Sequence, residues 1–217
     1  MKKKNLRKIL TGVGMLAVFV LWTVAVSLVD VQAIGPDGTS VGFAALNGYF
    51  HKLTGVNMTL YNITDWLGLV PVAVCLGFAV FGLCQLLKRR SLKKVDYSIF
   101  VLGGFYVAVM AVYILFEYVV INYRPVLIEG YLEASYPSST TLLVMCVMPT
   151  AALQLRGRIK NAILKKTVLW AIYAFTVFMV AGRILSGVHW LSDIIGGALL
   201  SAGLVLLYCA FAENRKK

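Results

Sequence analysis

The sequence predicts an all-α, polytopic membrane protein: six transmembrane helices in one bundle, a single domain over residues 1–217. Three observations carry this. Of the 217 residues, 60% are hydrophobic and 14% charged, with a mean hydropathy of +0.82; soluble domains hold fewer apolar and more charged residues. Apolar runs of roughly 17 to 25 residues, the length that crosses a hydrocarbon core, recur six times. Little chain is left between them for a second domain.

The first run covers 9–29. Val31-Gln32-Ala33 behind it resembles a signal-peptide cleavage site, but the run is longer than a signal peptide's apolar region, so a retained anchor is expected. The second and third runs cover 66–87 and 97–121. The fourth, 139–155, is short. The fifth and sixth, 167–187 and 190–212, nearly touch at Ser186-Gly187-Val188. In the last run Gly197 and Ser201 have the spacing of small residues that lets membrane helices approach closely, a packing feature without chemistry.

Basic residues fix the expected orientation. Lys2, Lys3, Lys4, Arg7 and Lys8 precede the first run, and Lys88, Arg89, Arg90, Lys93 and Lys94 lie between the second and third. Arg156, Arg158, Lys160, Lys165 and Lys166 lie between the fourth and fifth, and Arg215, Lys216 and Lys217 close the chain. Eighteen of the 21 Lys and Arg thus fall on one side, which the positive-inside rule assigns to the cytoplasm together with both termini. The formal charge of +12 therefore reads as topology and contact with anionic headgroups rather than as a nucleic-acid site.

Cys75, Cys84, Cys146 and Cys209 all lie within the runs without metal-type spacing, and are expected as free, apolar-packed thiols. Asn57-Met58-Thr59 and Asn62-Ile63-Thr64 match a glycosylation pattern too short to carry weight.

The polar residues that topology does not require carry the chemistry. Three basic residues face outside: Lys52, Arg124 and Arg183. The latter two lie at outer ends of spans, where an ionisable group is costly and usually functional. His189 and Asp193 are four residues apart at the start of the sixth run, on one helical face, with the carboxylate in reach of an imidazole nitrogen. A buried carboxylate without a partner costs several kcal/mol, so this pair is read as a site.

The run from Gly182 to Asp193, with Arg183, His189 and Asp193, resembles the third motif of the type-2 phosphatidic acid phosphatase superfamily, Arg-x5-His-x3-Asp. Tyr123-Arg124-Pro125 is similar to the end of its first motif, and Tyr136-Pro137-Ser138-Ser139-Thr140 to its second, Pro-Ser-Gly-His. The motif region spans 117–193; order, spacing and six-span topology agree with the family over roughly the whole chain. The resemblance implies a phosphatase that works by double displacement without metal or cofactor. His189 would be the nucleophile and Asp193 would hold its other ring nitrogen. Arg183 and Arg124 would clamp the phosphate, and Ser138, Ser139 and Thr140 would complete the cradle at a helix start.

Two positions depart from the family. Thr140 stands where the family has the His that protonates the leaving oxygen and later activates water, and Glu117 stands where it has a Lys. A threonine hydroxyl is too weak an acid for that role, so a contribution of about 10^2 to 10^4 in rate is expected to be missing. Two substitutes suggest themselves. Glu117 lies on the same helical face as Arg124, two turns and roughly 10 Å deeper, and would act as an acid if desolvation protonated it; otherwise it balances an arginine or lines a cavity. His51, in the first outer loop, would reach the site only if that loop folds over it.

The expected protein is an integral, plasma-membrane phosphatase with an outward-facing site, acting on a lipid phosphate or, preferentially, a polyprenyl diphosphate. The alternative is a silent relative that binds lipid phosphates as a sensor or partner. A small transporter lacks the expected repeat or broken helices, and haloperoxidases with similar motifs are soluble.

Overall fold

A computed structural model describes residues 3–212; Lys2 and the basic residues at 215–217 lie outside them. Eight α-helices form in order: α1 (Lys3–Leu28), α2 (Ala44–Thr54), α3 (Met58–Leu67), α4 (Leu69–Arg89), α5 (Tyr97–Tyr118), α6 (Ser139–Arg158), α7 (Ala162–Leu185) and α8 (Leu191–Ala212). Six long ones match the six apolar runs to within a few residues. Two short ones, α2 and α3, build up the first outer loop, where no helix was expected.

Five stretches of the described residues are long and apolar enough to cross a membrane: α1, α3 with α4, α5, α7 and α8. The expected fourth span forms α6 but does not meet that measure. The reason is its position. α6 packs against α4, α5, α7 and α8, and buries ten residues, including Thr141, Thr150 and Gln154. A helix solvated by other helices can carry hydroxyls and amides that hydrocarbon would exclude, provided they find partners. Thr150 bonds back to the Cys146 carbonyl at 2.8 Å, and Gln154 to the Tyr208 hydroxyl at 2.5 Å. The outer helices show the reverse pattern: Leu21, Leu76, Val107 and Val177 are exposed, as a lipid-facing surface requires.

The most extensive contact is between α1 and α8. Gly12 and Gly203 make it possible, because a Cβ on either would lie 3.1 Å from the other's carbonyl oxygen; small residues let membrane helices meet backbone to backbone. Gly197 and Ser201 turn instead toward α6, where Ser201 Oγ lies 3.4 Å from the Leu142 carbonyl. All four cysteines are free. At the opposite end from the motifs, Asp96 pairs with Arg89 at 3.0 Å and Arg158 at 3.6 Å.

The segment between α1 and α4 packs against the ends of α1, α7 and α8. Gly42 crosses α1 so closely that a Cβ there would come within 1.6 Å of the Val26 carbonyl oxygen. Asn47, fully buried, ties α2 to α8: its Nδ2 donates to Ser192 Oγ at 2.9 Å and its Oδ1 accepts from Ser192 N at 3.1 Å. Asn57 caps α3 by accepting from Leu60 N at 2.9 Å, and its own backbone N–H bonds the Ser186 carbonyl. Gly187 has φ +65°, and a Cβ there would sit 1.8 Å from the Gly55 carbonyl oxygen, so no larger residue fits. The second outer loop folds as a small hairpin, with Arg124 N bonded to the Glu133 carbonyl and Ser135 N to the Asn122 carbonyl. Both loops therefore converge on the connection between α7 and α8.

Candidate active site

Arg183 occupies the last turn of α7 and is 1% exposed. The chain then turns through Gly187 and presents His189, buried, just before α8. Asp193, in the first turn of α8, is fully buried. Its carboxylate accepts from Asn122 Nδ2 at 3.2 Å, from the Trp190 backbone N–H at 2.9 Å and from the Ser135 hydroxyl. These donors, with the positive end of α8, offset the cost of a buried charge.

His189 and Asp193 do not meet directly: Nδ1 and Oδ2 are 3.8 Å apart. Ser135 Oγ stands between them, 3.2 Å from His189 Nδ1, while it donates to Asp193. On the other side of the ring, His189 Nε2 lies 3.2 Å from Arg124 Nη1. A guanidinium only donates, so Nε2 is the acceptor and Nδ1 carries the hydrogen. Burial, then the neighbouring Arg124 charge, lowers the His189 pKa from 6.5 to about 4. At neutral pH the imidazole is uncharged, with its lone pair on Nε2.

The two guanidinium groups stack on one ring. Arg183 Cζ is 5.0 Å and Arg124 Cζ 5.6 Å from the centroid of Tyr61 on α3, an electrostatically favourable seat for cations. Arg183 Nη2 donates to both Asp65 Oδ1 at 2.8 Å and Thr140 Oγ1 at 2.5 Å. Its Nε and Nη1 are buried and without partners. Arg124 Nε lies 3.0 Å from Glu133 Oε2, at an angle that makes an ion pair but no hydrogen bond. Buried polar groups are nearly always satisfied, so the two idle donors of Arg183, beside the second cation Arg124, mark a place suited to an anion.

Ser138 caps α6: its Oγ accepts from Thr141 N at 3.5 Å and Thr141 Oγ1 at 3.0 Å, and its N–H bonds the Asp193 carbonyl at 3.1 Å. It thereby fastens α6 to α8. Ser139 and Thr140 begin α6, and the first N–H groups of a helix have no intrahelical acceptor and attract anions.

Glu117 is exposed near the end of α5, beside Tyr113, and lines a narrow groove that also includes Phe116, Ser135 and Ser139. The acids that pair with Arg124 and Arg183 are Glu133 and Asp65. His51 is close to His189. The loop does fold over, and the two histidines line one small cavity with Phe50, Ile184, Leu191 and Ile194. The His51 ring packs 5.5 Å from that of Trp190 and bonds the Gly187 backbone, while its Nδ1 is buried without a partner. Burial lowers its pKa, with the Gly187 bond opposing.

Five residues of the site were not singled out in the sequence: Tyr61, Asp65, Asn122, Glu133 and Ser135. Asp65 carried a readable signal, an acidic group at the outer edge of an apolar run, four residues after an aromatic and hence on its helical face. Ser135 and Asn122 carried none, because they act through a partner distant in sequence.

Fold and site together define a helical membrane protein with a buried anion cleft built around a neutral histidine. Residues 116–217, the stretch that holds Arg124, Ser138, Arg183, His189 and Asp193, match the model of the PAP2 superfamily. The whole chain is similar in fold to a solved structure, the first transmembrane PAP2-type phosphatidylglycerolphosphate phosphatase from Bacillus subtilis. The TM-score is 0.62 at 18% identity, covering 95% of this chain and 98% of that one. No curated protein sequence matches this chain. The fold is that of a membrane PAP2 phosphatase.

Proposed function

We propose that this protein is a membrane phosphatase that removes a phosphoryl group from a lipid diphosphate, in preference to a lipid monophosphate, through a phosphohistidine on His189. The observation that carries the reading is the meeting of a neutral His189, its Nε2 lone pair turned toward Arg124, with the partnerless N–H groups of the neighbouring Arg183. A phosphoryl group seated on those donors places phosphorus before Nε2. Nε2 attacks, the bond from phosphorus to the bridging oxygen breaks, and the lipid monophosphate leaves with the electron pair. The ring becomes cationic as it does so, and the Ser135–Asp193 pair stabilises that charge at Nδ1. The arginines hold the charge that gathers on the phosphoryl oxygens. Water then breaks the phosphorus–Nε2 bond and releases phosphate.

The preference for a diphosphate rests on Thr140. Its hydroxyl accepts from Arg183 and is no proton donor of useful strength, so substrates with a good leaving group are favoured. The distribution of basic residues supports a site on the outer face with both termini in the cytoplasm. A lipid enters such a site with its tail in the bilayer and its headgroup in water.

The test is phosphate release by purified protein from a panel of lipid phosphates and diphosphates, with His189→Ala as control. Turnover and an acid-labile phosphoenzyme are expected in the wild type and neither in the variant. Equal activity in the two proteins would remove the mechanism. Saturable binding of lipid phosphates without any turnover would favour the sensor reading, which Thr140 motivates.

A further inference from the structure

The loop between α1 and α4 reaches the two site arginines through α3. α3 lies against the end of α7 so closely that a Cβ on Gly182 would come within 2.6 Å of Thr64 Cγ2. This contact carries Tyr61 and Asp65, four residues apart and so on one face, to the two arginines. Tyr61 supplies the ring beneath both guanidinium groups. Asp65 bonds the same Arg183 nitrogen that bonds Thr140, at 2.8 and 2.5 Å. The Asp65 carboxylate and the Thr140 hydroxyl are therefore neighbours on Arg183 Nη2, on the same guanidinium as the two idle donors. Thr140 is also the place where an acid–base group is missing.

We propose that Asp65 is the catalytic base of the second half-reaction, activating the water that hydrolyses the His189 phosphoenzyme. The inference rests on the phosphohistidine reading above. Water oxygen attacks phosphorus, its proton passes to the Asp65 carboxylate, and the phosphorus–Nε2 bond breaks with its electron pair returning to His189. Inorganic phosphate leaves, and Asp65, whose side chain is 57% exposed, returns the proton to solvent. A carboxylate oxygen can accept the water proton, and a base in the second step is what a diphosphate substrate requires, since its departing phosphate needs little protonation while water still needs a base. His51 is the rival base, but neither Arg124 nor Arg183 lines the cavity it shares with His189, whereas Asp65 touches Arg183 itself.

The experiment is rapid-quench kinetics on the purified full-length protein with a polyprenyl diphosphate labelled in its terminal phosphate, reading phosphoenzyme and phosphate together. In Asp65→Asn, phosphoenzyme should form in a burst approaching one per site at close to the wild-type rate, while steady-state release falls by roughly 10^2 or more. The burst itself reports a folded, loaded site. Asp65→Glu should keep part of the turnover, and Thr140→His added to Asp65→Asn should recover it, by restoring a base from the other side of the cleft. The proposal is overturned if Asp65→Asn changes neither phase, or lowers burst and turnover alike, as loss of a purely structural ion pair would. It is also overturned if His51→Ala traps phosphoenzyme and Asp65→Asn does not. A wild type that releases phosphate without any phosphohistidine, with His189→Ala as active, would sink the underlying mechanism and this role with it.

Discussion

Arg124 Nη1 donates toward His189 Nε2 across 3.2 Å, so the cation proposed to bind the substrate's phosphate rests on the lone pair of the proposed nucleophile. The contact does two things. It fixes the tautomer, leaving the Nδ1 hydrogen for Ser135, and it adds to burial in holding the imidazole uncharged, with its pKa lowered to about 4. In the proposed mechanism an arriving phosphate would take over the guanidinium and free the lone pair only when it is in place to be attacked.

The pH dependence of phosphoenzyme formation follows from that contact. His189 attacks only when neutral, so the acid limb should lie near pH 4 rather than near the ordinary histidine value of 6.5. Arg124→Gln removes a positive neighbour that lowers the pKa, so the limb should move upward, while burial keeps it below 6.5. The measurement is the single-turnover rate of phosphoenzyme formation against pH. A limb that stays in place in Arg124→Gln would contradict this electrostatic account.

Ser135 is expected to matter through His189 rather than through the phosphate. Its hydroxyl spans a gap of 3.8 Å between Nδ1 and the Asp193 carboxylate. Ser135→Ala removes one buried hydrogen-bonded link, a loss of about 1–3 kcal/mol or roughly 5- to 160-fold in kcat, with KM little changed. Asp193→Asn should cost more, because the ring loses the charge that stabilises its cationic form. Steady-state kinetics of both variants decide it; a Ser135→Ala effect confined to KM would place that hydroxyl on the substrate instead.

The positions of the long helices were legible because hydrocarbon imposes one rule on every lipid-facing stretch. α6 shows where the rule stops. Once α4, α5, α7 and α8 surround a helix, Thr150 and Gln154 need only partners, and apolarity no longer reports on crossing. In the site, His189 and Asp193 were legible because four-residue spacing and the cost of a buried charge are local properties. Tyr61 and Asp65 were not singled out, since their role depends on α3 packing against Gly182, 118 residues from Asp65 to Arg183 along the chain. Ser135 was invisible for the same reason: a serine before a proline motif gains meaning only when a histidine 54 residues later turns toward it.

Orientation is tested by labelling. In a variant with its four native cysteines replaced, single cysteines at Lys52 and Glu129, both exposed in the outer loops, should react with an impermeant thiol reagent in intact cells. One at Lys160, exposed between α6 and α7, should react only after the membrane is opened. The reverse pattern would put the cleft in the cytoplasm and remove the argument for an outward-facing lipid site.

The last expectation concerns Thr140, whose hydroxyl is bonded to Arg183 at 2.5 Å. Breaking a lipid phosphomonoester expels an alkoxide, which needs a proton in the transition state; breaking a diphosphate expels a phosphomonoester anion, which needs far less help. Thr140 is not suited to supply that proton, so the wild type should hydrolyse a polyprenyl diphosphate well and phosphatidic acid poorly. Thr140→His places an imidazole at the start of α6, beside the cleft, and should raise kcat/KM for the monoester by about 10-fold or more while changing the diphosphate rate little. The comparison within one variant matters, because a general disturbance of Arg183 would lower both substrates together. If the wild type already handles phosphatidic acid as readily as the diphosphate, and Thr140→His changes neither, some other group protonates the leaving oxygen. His51, with its partnerless Nδ1 in the cavity beside His189, would then be the residue to replace next.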